Sequence, residues 1–441
     1  MNRIDRRTFL GSVAGAALLP LSSCAITPPR RYTRGRLRHA CIGVGGMGET
    51  DLREIASHAD VDIVALCDVD IEALDAAAAL FPNARRFRDW RVLFDERAYE
   101  FDSVSVTTPD HMHAPITLHA LEHGKHVYCQ KPLTRTVAEA RRVATAARES
   151  RTVTQMGIQN RSNEPYRQAL ELFRQGHIGK VHEVHVWTDR PAGWWPQGVD
   201  RLPGADPIPP TLDWDLWLGV APARPYKQGQ YHPFAWRGWR DFGTGAQGDM
   251  ACHLMDPALW FLDLEAPTRI RSDGPVPSDE TYPLWSTVHY EFPANELTTR
   301  GPLLLTWYDG GRKPAKQKLA DLGIEELIAN GCLFVGEEGA LLADPYGPPS
   351  LFPAEKFADV PLPRAVGENH WHNWVDACLG RVEASAGFDY AAHLTEVALL
   401  GNVALHFPHE TLEWDARGMH FAGRNEATAR LSEVWRPEFR I

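Results

Sequence analysis

The chain has 441 residues, 44% hydrophobic and 23% charged, enough for two domains with real cores. Its formal net charge of -11 argues against nucleic acid as a partner, because general nucleic-acid binding needs a basic face. Seven cysteines without a CxxC pair or a repeated spacing argue against a zinc site or a disulfide framework.

The first 24 residues do not read as fold. Arg6-Arg7-Thr8-Phe9-Leu10 precedes a short alanine-rich apolar run, which resembles a twin-arginine export signal. The run is too short to span a bilayer comfortably. Leu21-Ser22-Ser23-Cys24 resembles a bacterial lipobox and makes Cys24 the expected lipid-anchor site; the alternative is an incidental cysteine in a signal that is cut off. Residues 25–36, with Pro28-Pro29-Arg30-Arg31, read as a linker or an extended arm.

From His39 the pattern is strand and helix in alternation. His39 to Val44 is a buried strand running into a glycine loop, and Asp51 to His58 a helix. Val61 to Asp68 is a strand and Ile71 to Leu80 an alanine-rich helix. Phe101 to Val106 and His126 to Cys129 are further strands, with helices over Ile116 to His123 and Val137 to Glu149. Cys41, Cys67 and Cys129 lie in these apolar runs and read as small core residues. The alternation predicts an α/β fold, a doubly wound parallel Rossmann sheet over residues 37–157. After Met156 the period changes. Tyr166 to Gln175 is a helix, and Val181 to Val186, Ser286 to Phe292, Leu303 to Tyr308 and Cys332 to Val335 alternate as half-exposed strands. These predict an open, mostly antiparallel sheet with one face covered, in a second domain over 158–441. Asn369 to Leu379 and Ala391 to His406 are closing helices.

Gly43-Val44-Gly45-Gly46-Met47-Gly48 follows a strand and opens a helix, the context that makes a dinucleotide fingerprint credible. Gly43 permits the turn, Gly45 the approach of pyrophosphate, and Gly48 the packing of helix on strand. Asp68 ends the next strand. A carboxylate there accepts from ribose hydroxyls and repels a 2′-phosphate, favouring NAD over NADP. Thr107-Thr108-Pro109 ends a later strand, which puts Thr108 and His113 beside the nicotinamide half. His111 and His113, two apart with no third ligand nearby, are a poor metal site, so no metal is expected.

Oxidising an alcohol requires a hydride acceptor and removal of the hydroxyl proton. Lys131, closing the run His126-Val127-Tyr128-Cys129-Gln130, puts a cation at the reactive end of the crevice, able to stabilise a developing alkoxide. Gly248-Asp249-Met250-Ala251-Cys252-His253 supplies a proton carrier: Asp249 and His253 share a helix face, with Asp249 placed to orient His253. Eight of the fifteen tryptophans fall between Trp187 and Trp260, and Trp236 among them is a candidate surface for a sugar face.

With these motifs together, residues 37 to about 410 resemble the glucose–fructose oxidoreductase / inositol dehydrogenase / rhizopine-catabolism family (Gfo/Idh/MocA). The carriers are the glycine loop, Thr108-Pro109-Asp110-His111-Met112-His113, Gly124 to Leu133, and Gly248 to His253. The resemblance implies a sugar, cyclitol or polyol substrate, Lys131 and His253 as the catalytic pair with Asp249 assisting, and Gln159, Asn160 and Arg161 near the ligands. It also implies a C-terminal α/β domain whose open sheet forms the interface of a homodimer or homotetramer. One departure stands out: the family's usual Glu-Lys-Pro is Gln130-Lys131-Pro132 here, which removes an anion beside the lysine while leaving an amide able to bond the cofactor.

The expected function is an exported NAD(P)-dependent oxidoreductase acting on a hydroxyl of a sugar, glycoside or polyol, with its cofactor tightly bound. The alternatives are a redox-neutral glycosidase or epimerase using transient oxidation, and a non-catalytic sugar or nucleotide sensor.

Overall fold

The computed structural model describes residues 35–439. The export-signal and Cys24 expectations fall outside the described residues. Strands β1 (Leu37–Ile42), β2 (Val61–Cys67), β3 (Arg85–Phe87), β4 (Ser103–Val106), β5 (His126–Gln130) and β6 (Thr154–Gly157) form one sheet in the order β3-β2-β1-β4-β5-β6. All its pairings are parallel. The order reverses between β1 and β4, which opens a crevice at the carboxyl ends of those strands. Both faces are covered, so the central strands are apolar nearly throughout: β4 and β5 bury Val104, Val106, Val127, Tyr128 and Cys129. Helix starts are set locally. Asp70 caps Ile71–Leu80 by accepting from Glu72 N, and Thr136 with Glu139 forms a capping box on Val137–Ser150.

The second sheet has nine strands: β7 (Val181–Trp187), β8 (Arg269–Asp273), β9 (Thr287–Phe292), β10 (Leu303–Tyr308), β11 (Gly331–Gly336), β12 (Ala340–Ala343), β13 (Ser350–Phe352), β14 (Thr411–Asp415) and β15 (His420–Phe421). Their order is β13-β12-β11-β7-β10-β9-β8-β14-β15, antiparallel throughout except for β7 with β10. The inner face packs on the helices Gly245–Leu254, Asp256–Leu262 and Phe388–Ala404. The last is apolar nearly all round because it is buried between this sheet and Val137–Ser150 of the first region. There Thr395 Oγ1 accepts from Leu133 N at 3.2 Å, just past Lys131.

Two differences from the expected pattern have local causes. The first helix spans Met47–Ala56, not Asp51 to His58, because Gly46 at φ 56° starts it directly from the glycine loop. The outer face of the second sheet is not simply open: Leu319, Ile324 and Leu327, on the excursion between β10 and β11, cover Trp187, Leu333, Val335 and Leu342. Strand β3 escaped notice because an edge strand paired on one side needs no apolar run; its sequence is Arg85-Arg86-Phe87. Among the described residues no helix is long and apolar enough to cross a membrane.

Candidate active site

The glycine loop is shaped by close approach. Gly43 has φ 81°, and a Cβ there would run into the Thr107 carbonyl; a Cβ on Gly48 would run into the Gly43 carbonyl. Gly45 passes the Ala73 methyl, and Met47 begins the helix with no side-chain cap on its first N–H groups. Asp68 steadies the turn: its Oδ2 accepts from Val44 N at 2.8 Å and its Oδ1 from Asp70 N at 3.0 Å. Burial raises its carboxyl against these two bonds. Each oxygen keeps a lone pair for a ribose hydroxyl.

At the other end of the crevice, Lys131 Nζ donates to Asp249 Oδ1 at 2.7 Å and to the Asp249 carbonyl at 3.0 Å. Arg237 Nε reaches the same Oδ1 at 3.3 Å. Burial alone would raise the Asp249 carboxyl, but Lys131 and Arg237 outweigh it and hold it down at about 2. The side chains of Lys131 and Asp249 are 15% and 13% exposed, reachable by a ligand yet largely desolvated. His253 lies one turn along the same helix. Burial, reinforced by Lys131, pushes its imidazole down to about 3 against the pull of Asp249, so the ring is neutral. Its Nδ1 is buried and has no protein partner. Lys131, Asp249 and His253 therefore share one cleft, but the pairing differs from the sequence expectation: the carboxylate serves Lys131 and does not bond the imidazole, because Lys131 comes in from β5 at closer range.

The other predicted residues divide. Thr108 Oγ1 is buried without a partner, a second orphan at the crevice. His113 bridges two segments instead of facing outward, with Nδ1 on the Pro132 carbonyl (2.7 Å) and Nε2 on the Thr108 carbonyl (2.8 Å). Gln130 Nε2 is held by both Asp51 oxygens at 3.0 Å. Gln159 Nε2 donates to the Tyr128 hydroxyl at 3.2 Å. Asn160 is half-buried in the turn Gln159–Ser162. Arg161 is a strut: it bonds Asp256 Oδ1 at 2.7 Å and the Ser385 carbonyl at 2.8 Å, between the rings of Trp260 and Tyr390. Its charge is taken up by Asp256. Trp236 is buried against Arg237, 4.4 Å from ring centroid to guanidinium.

Asp110 escaped the sequence reading although its motif was noticed. It is buried, accepts from Thr244 Oγ1 at 2.7 Å, and burial pushes it up to about 7 against Thr244 and Lys131. Asp51 also went unassigned to the site, and Arg237, which the sequence left open between an acidic ligand and a neighbouring acid, pairs with Asp249. A conformationally free glycine loop, an acid at the end of β2, and orphaned polar atoms at Thr108 and His253 fit a nicotinamide dinucleotide.

Residues 37–158 match the model of the oxidoreductase family with an NAD-binding Rossmann fold, and residues 175–296 that of the same family's C-terminal alpha/beta domain. The chain belongs to the Gfo/Idh/MocA oxidoreductase family. Among curated Gfo/Idh/MocA relatives, inositol 2-dehydrogenase of Salmonella typhimurium is 30% identical over 152 residues, 34% of this chain and 45% of that protein. A glycosyl hydrolase family 109 protein of Shewanella pealeana is 28% identical over 228 residues, 46% of this chain and 50% of that protein. The chain thus spans about half the length of these curated relatives. The WlbA dehydrogenase from Bordetella pertussis, crystallised with NADH and UDP-GlcNAcA, shares the Gfo/Idh/MocA fold at TM-score 0.61 and 16% identity, covering 86% of this chain and 99% of that one.

Proposed function

We propose that the protein is an NAD-dependent oxidoreductase acting on a hydroxyl of a sugar, glycoside or polyol. The observation that carries this is the convergence of Lys131, Asp249 and a neutral His253 at the carboxyl ends of the Rossmann strands. NAD, when bound, supplies the hydride acceptor. Lys131, held by Asp249, donates to the substrate oxygen and stabilises charge that develops there. His253, held neutral, takes the hydroxyl proton. Asp249 keeps Lys131 aimed, and Arg237 keeps Asp249 in place.

Exposed rings at the rim support a sugar or glycoside substrate. Trp194 (51% exposed) lies over Arg190, and Phe234 (44% exposed) over Arg237. Arg190 pairs with Asp189, and Arg237 shares Asp249 with Lys131. Arg190, Asp189 and Asp249 all act on the Tyr346 hydroxyl, which brings a third exposed ring to this rim. Aromatic faces suit the C–H faces of a glycoside.

The cofactor is held tightly. A segment from the second region crosses the loop after Asp68: Ile71 N donates to the Thr211 carbonyl and Asp213 N to the Val69 carbonyl, both at 3.0 Å, and His232 Nε2 pairs with Asp70 Oδ2 at 2.8 Å. Arg6-Arg7 and Ser22-Ser23-Cys24 support export by the twin-arginine route and a lipoprotein facing the periplasm, where a retained cofactor removes the need for free NAD. The sheet of β7 to β15 is the proposed contact of a homodimer or homotetramer. A second reading, redox-neutral cleavage or epimerisation through transient oxidation, is favoured by the likeness to the glycosyl hydrolase family 109 protein. The test is a panel of free sugars and glycosides with chromatographic separation and product masses: a mass loss of two hydrogens supports net oxidation, released aglycone or a separated isomer of unchanged mass the second reading, and no product from any member counts against both.

A further inference from the structure

We propose that Asp51 is a positioning residue for Lys131, its carboxylate tying the helix that opens the dinucleotide crevice to the strand end that carries the lysine. The proposal rests on the redox reading of Lys131.

Asp51 sits in the second turn of Met47–Ala56 and is fully buried. Donors from three separate elements converge on it. Thr107 Oγ1, just past β4, donates at 2.7 Å; Gln130 Nε2, at the end of β5, donates at 3.0 Å to each oxygen; Trp371 Nε1, on the helix His370–Cys378, donates at 2.8 Å. Gln130 is not free to move away, because its amide is seated where any side chain on Gly157 of β6 would stand. Its Oε1 accepts from Lys131 N at 3.3 Å. A continuous path therefore runs from the helix, through Asp51 and Gln130, to the backbone of Lys131.

The path demands an ionised acid. A carboxylate only accepts, and two of its partners, Gln130 Nε2 and Trp371 Nε1, can only donate. Adding a proton, or replacing one oxygen by NH2, takes away an acceptor that the Gln130 amide uses in a fully buried site. Among the described residues no lysine or arginine bonds the carboxylate; its hydrogen-bond partners there are the amide, hydroxyl and indole. The ionisable groups that face it, Cys41 of β1 and Tyr128 of β5, are themselves kept protonated by burial. Burial lifts Asp51 to about 6 against the three donors, so mild acid switches the path off.

The test compares the intact protein with Asp51→Asn and with Asp51→Asn/Gln130→Glu, which exchanges acid and amide and restores an acceptor facing a donor. The readouts are the emission of bound NADH against pH, NADH affinity, and turnover of an active glycoside. In the wild type the emission titrates near pH 6. In Asp51→Asn it keeps the acid-form value at every pH, NADH affinity stays within about threefold because the glycine loop is untouched, and turnover falls roughly ten- to a hundredfold through misplacement of Lys131. The exchange variant regains most of both emission and turnover. Asp110→Asn and Asp309→Asn, each removing another buried acid lifted into this range, retain the transition near pH 6. Wild-type emission and turnover in Asp51→Asn overturn the proposal. So does an exchange variant that folds and melts like the wild type yet performs no better than Asp51→Asn. Failure of the wild type to bind NADH at all overturns the redox reading, and this proposal with it.

Discussion

Lys131 Nζ and Asp249 Oδ1 stand 2.7 Å apart, joining the last residue-end of the cofactor sheet to the helix that carries His253. The pair is largely desolvated, so removing the anion leaves two cations, Lys131 and Arg237, facing each other without compensation. Asp249→Asn is expected to lower kcat about a hundredfold while NADH still binds, since none of the glycine-loop contacts changes. Steady-state kinetics beside an NADH titration checks this; equal losses in binding and turnover would place Asp249 in the fold and not in the chemistry.

His253 is predicted to set no acid limb in the physiological range. Its folded pKa, about 3, is depressed below the ordinary 6.5. A histidine held neutral contributes stability above its unfolded pKa and loses it as pH falls through the folded value. The imidazole therefore stays available as a proton acceptor throughout mild acid. His253→Ala should cost about 10²- to 10⁴-fold in turnover, by a factor that does not change between about pH 5 and about pH 8. A loss confined to one side of pH 6.5 would show that the ring titrates in the working enzyme.

The glycine loop, Asp68, Lys131 and the Asp249–His253 spacing were legible in the sequence because each is local: a turn, a strand end, one face of one helix. What stayed hidden depends on topology. Asp51 meets Gln130 and Trp371, and Asp110 meets Thr244, only once the sheet order brings distant strand ends together. The true partner of Asp249 was missed for the same reason: the helix spacing made His253 its neighbour, while Lys131 approaches from another layer. Arg161 looked like a ligand contact from its place after β6, and nothing in the local sequence announced the buried Asp256 that takes up its charge.

His113 clamps the segment after β4 to the segment after Lys131, with both ring nitrogens on carbonyl oxygens. Both must donate, which requires the charged ring. Burial opposes that charge, but Cys129 and the two carbonyls outweigh it, so the pKa is raised above 6.5. A raised histidine contributes its stability fully below the unfolded value and loses it as pH rises through the folded one. Thermal denaturation should thus show an alkaline loss of stability above pH 6.5 in the wild type that is smaller in His113→Gln. The same slope in both proteins would remove His113 as its source.

His232 and Asp70 form a partly buried pair at 2.8 Å between the crossing segment and the loop after Asp68. Removing it by His232→Ala is expected to speed release of bound dinucleotide by roughly three- to tenfold, in keeping with a pair worth about 1 kcal/mol. Dialysis followed by release of the remaining dinucleotide in acid measures the retained fraction over time. Unchanged retention would mean that the segment does not guard the cofactor.

The most direct measurement follows NAD-loaded protein mixed with neutral glycosides, wild type beside Lys131→Ala, recording nicotinamide reduction and product mass together. The prediction is that both proteins hold dinucleotide and only the wild type transforms a glycoside. Full activity in Lys131→Ala, or a wild type that binds no dinucleotide, would contradict hydride transfer at the Lys131–His253 cleft.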